Sequence, residues 1–164
     1  MNDDLIYNRT ADDVSAARQA LDKRRTGGTM SEAELRSLSR GTYNAADINR
    51  VGAAVNEISA ELRAMGYIPP ADMKTNWTKT DSLTRSHIIN YLSAVEAVRA
   101  AFPTSVETPE TPTIDRWIDY NTANDIERIV WEVSHTVAGA KAITRVCGTF
   151  SAGDNYIMQI IRRG

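Results

Sequence analysis

Few residues in this chain have the types and spacing that catalytic or ligand chemistry requires. Its two histidines, His87 and His135, fall in different helical segments. His87 has no His, Cys or carboxylate three or four residues away, and His135 has only Glu132, three residues before it. Two ligands are too few for a metal site, so both read as structural. Cys147, the single cysteine, is followed by Gly148 and has no neighbour that would activate a thiolate, so it reads as a buried, inert thiol. Gly27-Gly28 lacks the preceding strand and the Gly-Lys-Ser/Thr continuation of a phosphate loop. No Gly-x-Ser-x-Gly nucleophile turn occurs. Carboxylates are plentiful but form no cluster in an apolar setting. Glu57 and Glu61, four apart and off the apolar stripe of their helix, read as a solvated face rather than an acid/base pair. Lys23-Arg24-Arg25 is a short basic run without interleaved aromatics, unlike a nucleic-acid surface. The expectation is a protein without catalytic residues, cofactor or metal, and with no nucleic-acid partner.

Aromatic residues carry more information. Trp77 and Trp117 both lie just outside helical segments in polar surroundings. A tryptophan there serves either as a lid on the core or as an anchor at a protein interface or on carbohydrate. Trp131, beside Val130 inside a helix, reads as packed.

Five helical segments must position these residues. The first spans about 11–25, with Thr10 as N-cap, Asp12 and Asp13 in the first turn, and Lys23-Arg24-Arg25 at the end before Gly27-Gly28. A short second helix spans 31–40, where Ser31 and Glu34 have capping-box spacing. The third has the clearest pattern. Asn44 caps it, and Ile48, Val51, Val55, Ile58, Leu62 and Met65 form one stripe until Gly66 and Pro69-Pro70 stop it. The fourth starts near Ser82 or Thr84 and buries Ile88, Tyr91, Leu92, Val95, Val98 and Phe102 before Pro103. Residues 103–112 hold three prolines and read as an extended loop. The fifth runs from Asn121 or Thr122 to about Ile143, with Ile126, Ile129, Val130, Val133, Val137, Ala140 and Ile143 on its buried side. Residues 144–150 and 156–162 are rich in strand formers and flank the turn residues Ser151-Ala152-Gly153-Asp154-Asn155, which predicts a hairpin or two short strands. The expected fold is therefore mainly α: a bundle of three long and two shorter helices over residues 1–143, with a β element over 144–164.

Composition agrees with a globular domain. The chain has 164 residues, 42% of them hydrophobic, and a net charge of −2, which gives no general attraction to nucleic acid or an anionic membrane. Met1-Asn2-Asp3-Asp4 does not resemble a signal peptide, and no apolar run approaches the roughly 20 residues that span a bilayer. Synthesis in the cytoplasm without a membrane partner is expected. Charge is uneven: seven acidic and two basic residues lie between Phe102 and Glu132, against one acidic and four basic from Val133 onward. Such asymmetry either orients neighbours in an assembly or simply decorates solvated faces.

One pattern occurs twice. Tyr43-Asn44-Ala45-Ala46-Asp47-Ile48-Asn49-Arg50-Val51 aligns, with one insertion, with Tyr120-Asn121-Thr122-Ala123-Asn124-Asp125-Ile126-Glu127-Arg128-Ile129. In each copy Asn is expected to cap, Asp to sit in the first turn, Ile to open the buried stripe, and Arg to project to solvent or to an acceptor. Tyr is expected to fold back as a staple. Two helices can reach this pattern by obeying the same start rules. They can equally be equivalent helices lying side by side under approximate symmetry.

These segments, with Asn8-Arg9-Thr10-x-x-Asp13-Val14, Gly41-Thr42-Tyr43-Asn44-x-x-Asp47-Ile48-Asn49-Arg50-Val51-Gly52, Lys74-Thr75-Asn76-Trp77-Thr78 and Asn124-Asp125-Ile126-Glu127-Arg128-Ile129, resemble a recurring module. The module is that of uncharacterised structural and tail-associated proteins of phages and prophages of Gram-positive bacteria, and the resemblance covers about residues 7–135. It implies a non-enzymatic virion protein, a tail or baseplate scaffold or adaptor that self-associates and contacts other virion proteins. The alternative is a host-attachment module that binds cell-wall carbohydrate through Trp77, Trp117 and Tyr120. The interaction residues expected are these three aromatics together with Tyr156, Met158 and Ile160 of the C-terminal strands, whose free edge could add to a partner's sheet.

Overall fold

The computed structural model describes residues 4–68, 72–113 and 118–147, with side chains through residue 142. The described residues hold five helices: α1 (Ala11–Arg25), α2 (Glu32–Gly41), α3 (Ala45–Ala64), α4 (Arg85–Ala101) and α5 (Tyr120–Cys147). The first four begin at side chains that take up free N–H groups. Thr10, Ser31, Asn44 and Thr84 are the N-caps, and the residue three positions on (Asp13, Glu34, Asp47, His87) reaches back to complete each capping box. Gly66 ends α3 at φ +87°, and its neighbour Tyr67 donates its N–H to the Leu62 carbonyl at 3.0 Å, so the last carbonyls are satisfied.

The three long helices run parallel. Arg50 of α3 meets Glu127 of α5, and further along both helices in the same direction Glu61 meets Lys141 at 2.6 Å. Beside α3, Tyr43 bonds Tyr91 near the start of α4, while Tyr67 and Phe102 meet ring to ring beyond the far ends. Because neighbours are parallel, the chain must travel back between them. It does so twice in extended form: residues 72–78 descend along α3, and residues 108–113 descend along α4, where Arg99 donates to the Pro109 carbonyl at 2.8 Å and Thr111 to Glu96 at 2.5 Å. The proline-rich stretch is thus an extended return, as its composition predicts.

The core lies between these helices. It consists of Val51, Val55, Ile58 and Leu62 from α3, Tyr91, Val95 and Val98 from α4, and Ile126, Ile129, Val130, Val133 and Val137 from α5. Each such aliphatic side chain contributes about 1.5–3 kcal/mol through burial. α1 and α2 form a hairpin that packs mainly on itself. Gly41 allows the closest approach: a Cβ added there would lie 2.1 Å from the Asp13 carbonyl oxygen.

One expectation needs correction. Residues 144–147, expected to begin a strand, are the last turn of α5. β-branched residues lower helix propensity only slightly, and no proline or glycine interrupts residues 140–147. The rest of the expected C-terminal strands, with Tyr156, Met158 and Ile160, lies outside the described residues, as does Trp117. Among the described residues there is no strand, and no helix is long and apolar enough to cross a membrane.

Candidate functional site

At the end where α3 and α5 begin, a polar network sits inside the apolar core. Residues 5–10 form a strap that crosses both helices. Leu5 enters the core, and Arg9, 3% exposed, points between the helices. Its Nη2 donates to Asp47 Oδ1 at 2.9 Å and to Glu127 Oε1 at 2.7 Å, and its Nε donates to the Arg40 carbonyl at 3.1 Å. Arg50 completes the square, donating to Asp47 at 2.6 Å and to Glu127 at 2.9 Å. Two guanidinium groups and two carboxylates balance, which is the condition under which such burial is tolerated. Burial alone would lower the Arg50 guanidinium; its bonds to Glu127 and Asp47 outweigh that and raise it.

Three asparagines hold extended backbone against the helices in the same way. Asn124 accepts from the Arg9 N–H and donates to the Arg9 carbonyl, both at 2.9 Å. Asn49 does this to Trp77 at 2.7 and 2.8 Å, and Asn56 to Met73 at 2.7 and 3.0 Å. Each carboxamide thus supplies one acceptor and one donor, as a neighbouring strand would. Gly52 lies between Asn49 and Asn56, and a Cβ there would come within 3.1 Å of the Lys74 carbonyl, so the return segment lies directly on the helix backbone.

Tyr43 links the network to α4. Its ring lies under Arg9, 5.5 Å from the guanidinium carbon, and its hydroxyl bonds that of Tyr91. Burial holds both phenols well above the ordinary tyrosine range, reinforced at Tyr43 by the charge of Glu127 and at Tyr91 by Tyr43.

Next to the network, a cleft of about 670 Å³ opens between residues 72–83 and α4. Its floor includes Ile48, Met73, Ile88 and Tyr91; Trp77, Asp81 and His87 stand among its lining residues. Trp77 is half-buried against the core. It meets His87 edge to face at 4.9 Å, and the Lys74 ammonium lies 4.1 Å from its ring centroid while reaching Asp81 at 3.5 Å. This is the lid position, with one edge toward the cleft. Tyr120 lines a separate cavity of about 650 Å³ between α1, Thr42-Tyr43 and the start of α5, so Trp77 and Tyr120 are not neighbours in one platform. Trp131 stacks with His135 and Tyr7.

The chain matches no protein-family model, no curated protein and no solved structure. Glu127 has four acceptor positions and receives Arg9, Arg50 and the Ile6 N–H, while Asp47 receives both arginines and the Asn44 N–H. Carboxylates so occupied act as fasteners. Among the described residues no group of His, Cys, Asp and Glu is arranged to hold a metal. His87 accepts the Thr84 N–H within its capping box, and His135 Nδ1 lies 2.9 Å from the Trp131 carbonyl.

The sequence expectation that carboxylates do not cluster in an apolar setting is overturned by Asp47 and Glu127. The doubled helix start is also corrected in part. α3 and α5 do lie side by side, Ile48 and Ile126 open both buried stripes, and Arg50 and Arg128 both reach acceptors. However, Asn121 does not cap α5. Asp119 does, accepting the Thr122 N–H at 2.7 Å; that bond holds its carboxyl below the usual range. α5 begins two residues earlier than α3 relative to the Tyr-Asn pair, so Tyr120 lies inside it and Asp125 lies beyond the first turn.

Proposed function

We propose that this chain is a non-enzymatic structural component of a phage or prophage particle, a tail- or baseplate-associated scaffold or adaptor that works through protein–protein contacts. One observation supports this most. The residues that carry the resemblance to phage tail-associated proteins are the ones that fasten segments together: Arg9, Tyr43, Asp47, Asn49, Arg50, Gly52, Trp77, Asn124 and Glu127. A motif spent on holding an architecture, with its acids and bases bonded to each other, suits a protein whose product is shape. Self-association and contact with other virion proteins belong to the same reading. The test is immunogold labelling, with an antibody to this chain, of particles released from a host that carries the gene. Label at the tail or baseplate is expected; particles that carry none of the chain would refute the reading.

A second reading, host attachment through cell-wall carbohydrate, draws on Trp77 at the cleft with Ser82, Asp81 and Asn90 nearby. A sugar would have to compete with Lys74 for the ring face. Saturable calorimetric binding of cell-wall fragments that is lost in Trp77→Ala, in a chain of unchanged melting temperature, would favour it over the scaffold.

A further inference from the structure

The strap and the α1–α2 hairpin behave as one unit seated in the rest of the chain. Inside the unit, Arg40 binds Asp13 at 3.0 Å and Asn8 at 3.0 Å, Lys23 binds Glu34 at 2.8 Å, Arg9 donates to the Arg40 carbonyl, and Gly41 seats on the Asp13 backbone. Between the unit and the long helices, by contrast, α1 and α2 make only marginal contact, and the cavity of about 650 Å³ lies at that junction. What holds the unit is the strap: Leu5 in the core, the Ile6 N–H on Glu127, the Arg9 backbone on Asn124, and the Arg9 guanidinium on Asp47 and Glu127. The covalent join is the short stretch around Thr42, whose backbone is extended at Thr42 (φ −120°, ψ 146°) and again at Asn44 (φ −135°, ψ −177°).

We propose that residues 4–41 exchange between two copies of this chain, the strap of each copy filling the α3–α5 groove of the other, with Thr42 as the hinge. The groove recognises one apolar side chain, one arginine four residues later, and backbone N–H and C=O groups. It supplies the same bonds whether the strap arrives from its own chain or from a neighbour. An exchanged pair keeps every contact described above and changes only the hinge torsions and the origin of the strap. Tyr43 lies on the groove side of the hinge and still receives the incoming Arg9. The competition is therefore set by concentration: a strap on a short connection has an effective concentration in the millimolar range at its own groove. Copies held side by side in an assembly reach that range, whereas dilute copies do not. The inference uses the packing of this chain and does not depend on its belonging to a particle.

Two measurements on the full chain test it. Denatured protein is refolded at micromolar and at millimolar concentration, and its mass is read by light scattering after equal dilution. A dimer that appears only after concentrated refolding and persists on dilution is expected. In the second, Arg9→Met, with a broken strap and an intact groove, is co-refolded with Glu127→Gln, which has the reverse. The exchanged heterodimer contains one undamaged strap–groove pair, so part of the melting transition should return to within a few degrees of the unmodified chain. If one variant does not fold alone, its rescue by the other is the same readout. Monomers at both concentrations overturn the proposal, and so does a dimer whose mixture melts as the sum of its two variants, because its contact would lie elsewhere.

Discussion

Replacing Arg9 by methionine should be among the most damaging single changes available on the surface-to-core path of this molecule. The side chain is almost fully buried, and its removal takes a guanidinium from two carboxylates that are themselves buried, Asp47 at 1% and Glu127 at 0% exposure. Breaking a buried ion pair by removing one partner costs about 3–5 kcal/mol, because the remaining charge stays desolvated. Arg50 still reaches both carboxylates, at 2.6 and 2.9 Å, which moves the expectation to the lower end of that range. Loss of the contact over Tyr43 adds about 0.5–1 kcal/mol. The total is therefore about 3–4 kcal/mol. In a domain of this size about 2–4 °C of melting temperature is lost per kcal/mol, so the variant should melt roughly 6–16 °C lower. Thermal unfolding followed by circular dichroism measures this directly. Arg9→Lys should recover only a fraction, since one ammonium does not bridge two carboxylates and a carbonyl as the planar fork does. The double variant Arg9→Met/Glu127→Gln should be less damaged than the sum of its parts, with a coupling of about 1–3 kcal/mol. A melting temperature within about a degree of the unmodified protein for Arg9→Met, or no coupling in the cycle, would refute the view that this network holds the strap.

Other perturbations follow from the same geometry. Tyr43 and Tyr91 are held above the ordinary phenol range in the folded chain, so their contribution is intact below about pH 10 and is lost as pH rises beyond it. Absorbance of tyrosinate should show two of the six tyrosines ionising only with unfolding, and Tyr43→Phe/Tyr91→Phe should remove that late step. Asp119 is held below its ordinary range, so its contribution is present above about pH 4 and fades as pH falls below it; Asp119→Ala should cost about 1 kcal/mol at neutral pH, with the difference closing in acid. Gly41→Ala would place its Cβ against backbone that cannot move aside, so α1 should separate from α2 and hydrogen exchange should accelerate in both helices before it does in α3.

Most of the helices were legible because their signals are local. Four caps and the stripe of α3 lie within a few residues of the turns they specify, and Gly66 marks the stop. The network was not legible because nothing near Arg9 indicates burial: its partners are 38 and 118 residues away. A partial signal existed in α5. Ala123, Glu127 and Ser134 recur at helical spacing with Val130 along one edge of the main stripe, and all four are buried, so the helix has a face too wide to cover a single neighbour. Glu127 stands in the middle of that face and required a cation. The doubled Tyr-Asn start pointed correctly to two adjacent helices. It misplaced the α5 cap because Asp119, just ahead of the motif, caps the helix and starts it earlier. The parallel arrangement also escaped local reading, since it depends on extended returns held by single side chains, Asn49 and Asn56 for one and Arg99 and Glu96 for the other.

Parallel helices give the molecule a direction. Each carries about half a positive charge at its start and half a negative charge at its end, and three aligned helices add these partial charges instead of cancelling them. Side chains of opposite sign stand in the terminal turns: Asp47 and Asp119 where α3 and α5 begin, and Arg63 and Arg99 in the last turns of α3 and α4. An antiparallel bundle presents much the same backbone electrostatics at either end. Here the two ends are electrostatically distinct, and a neighbour approaching along the helix axis meets the positive poles of the helices at one end and their negative poles at the other.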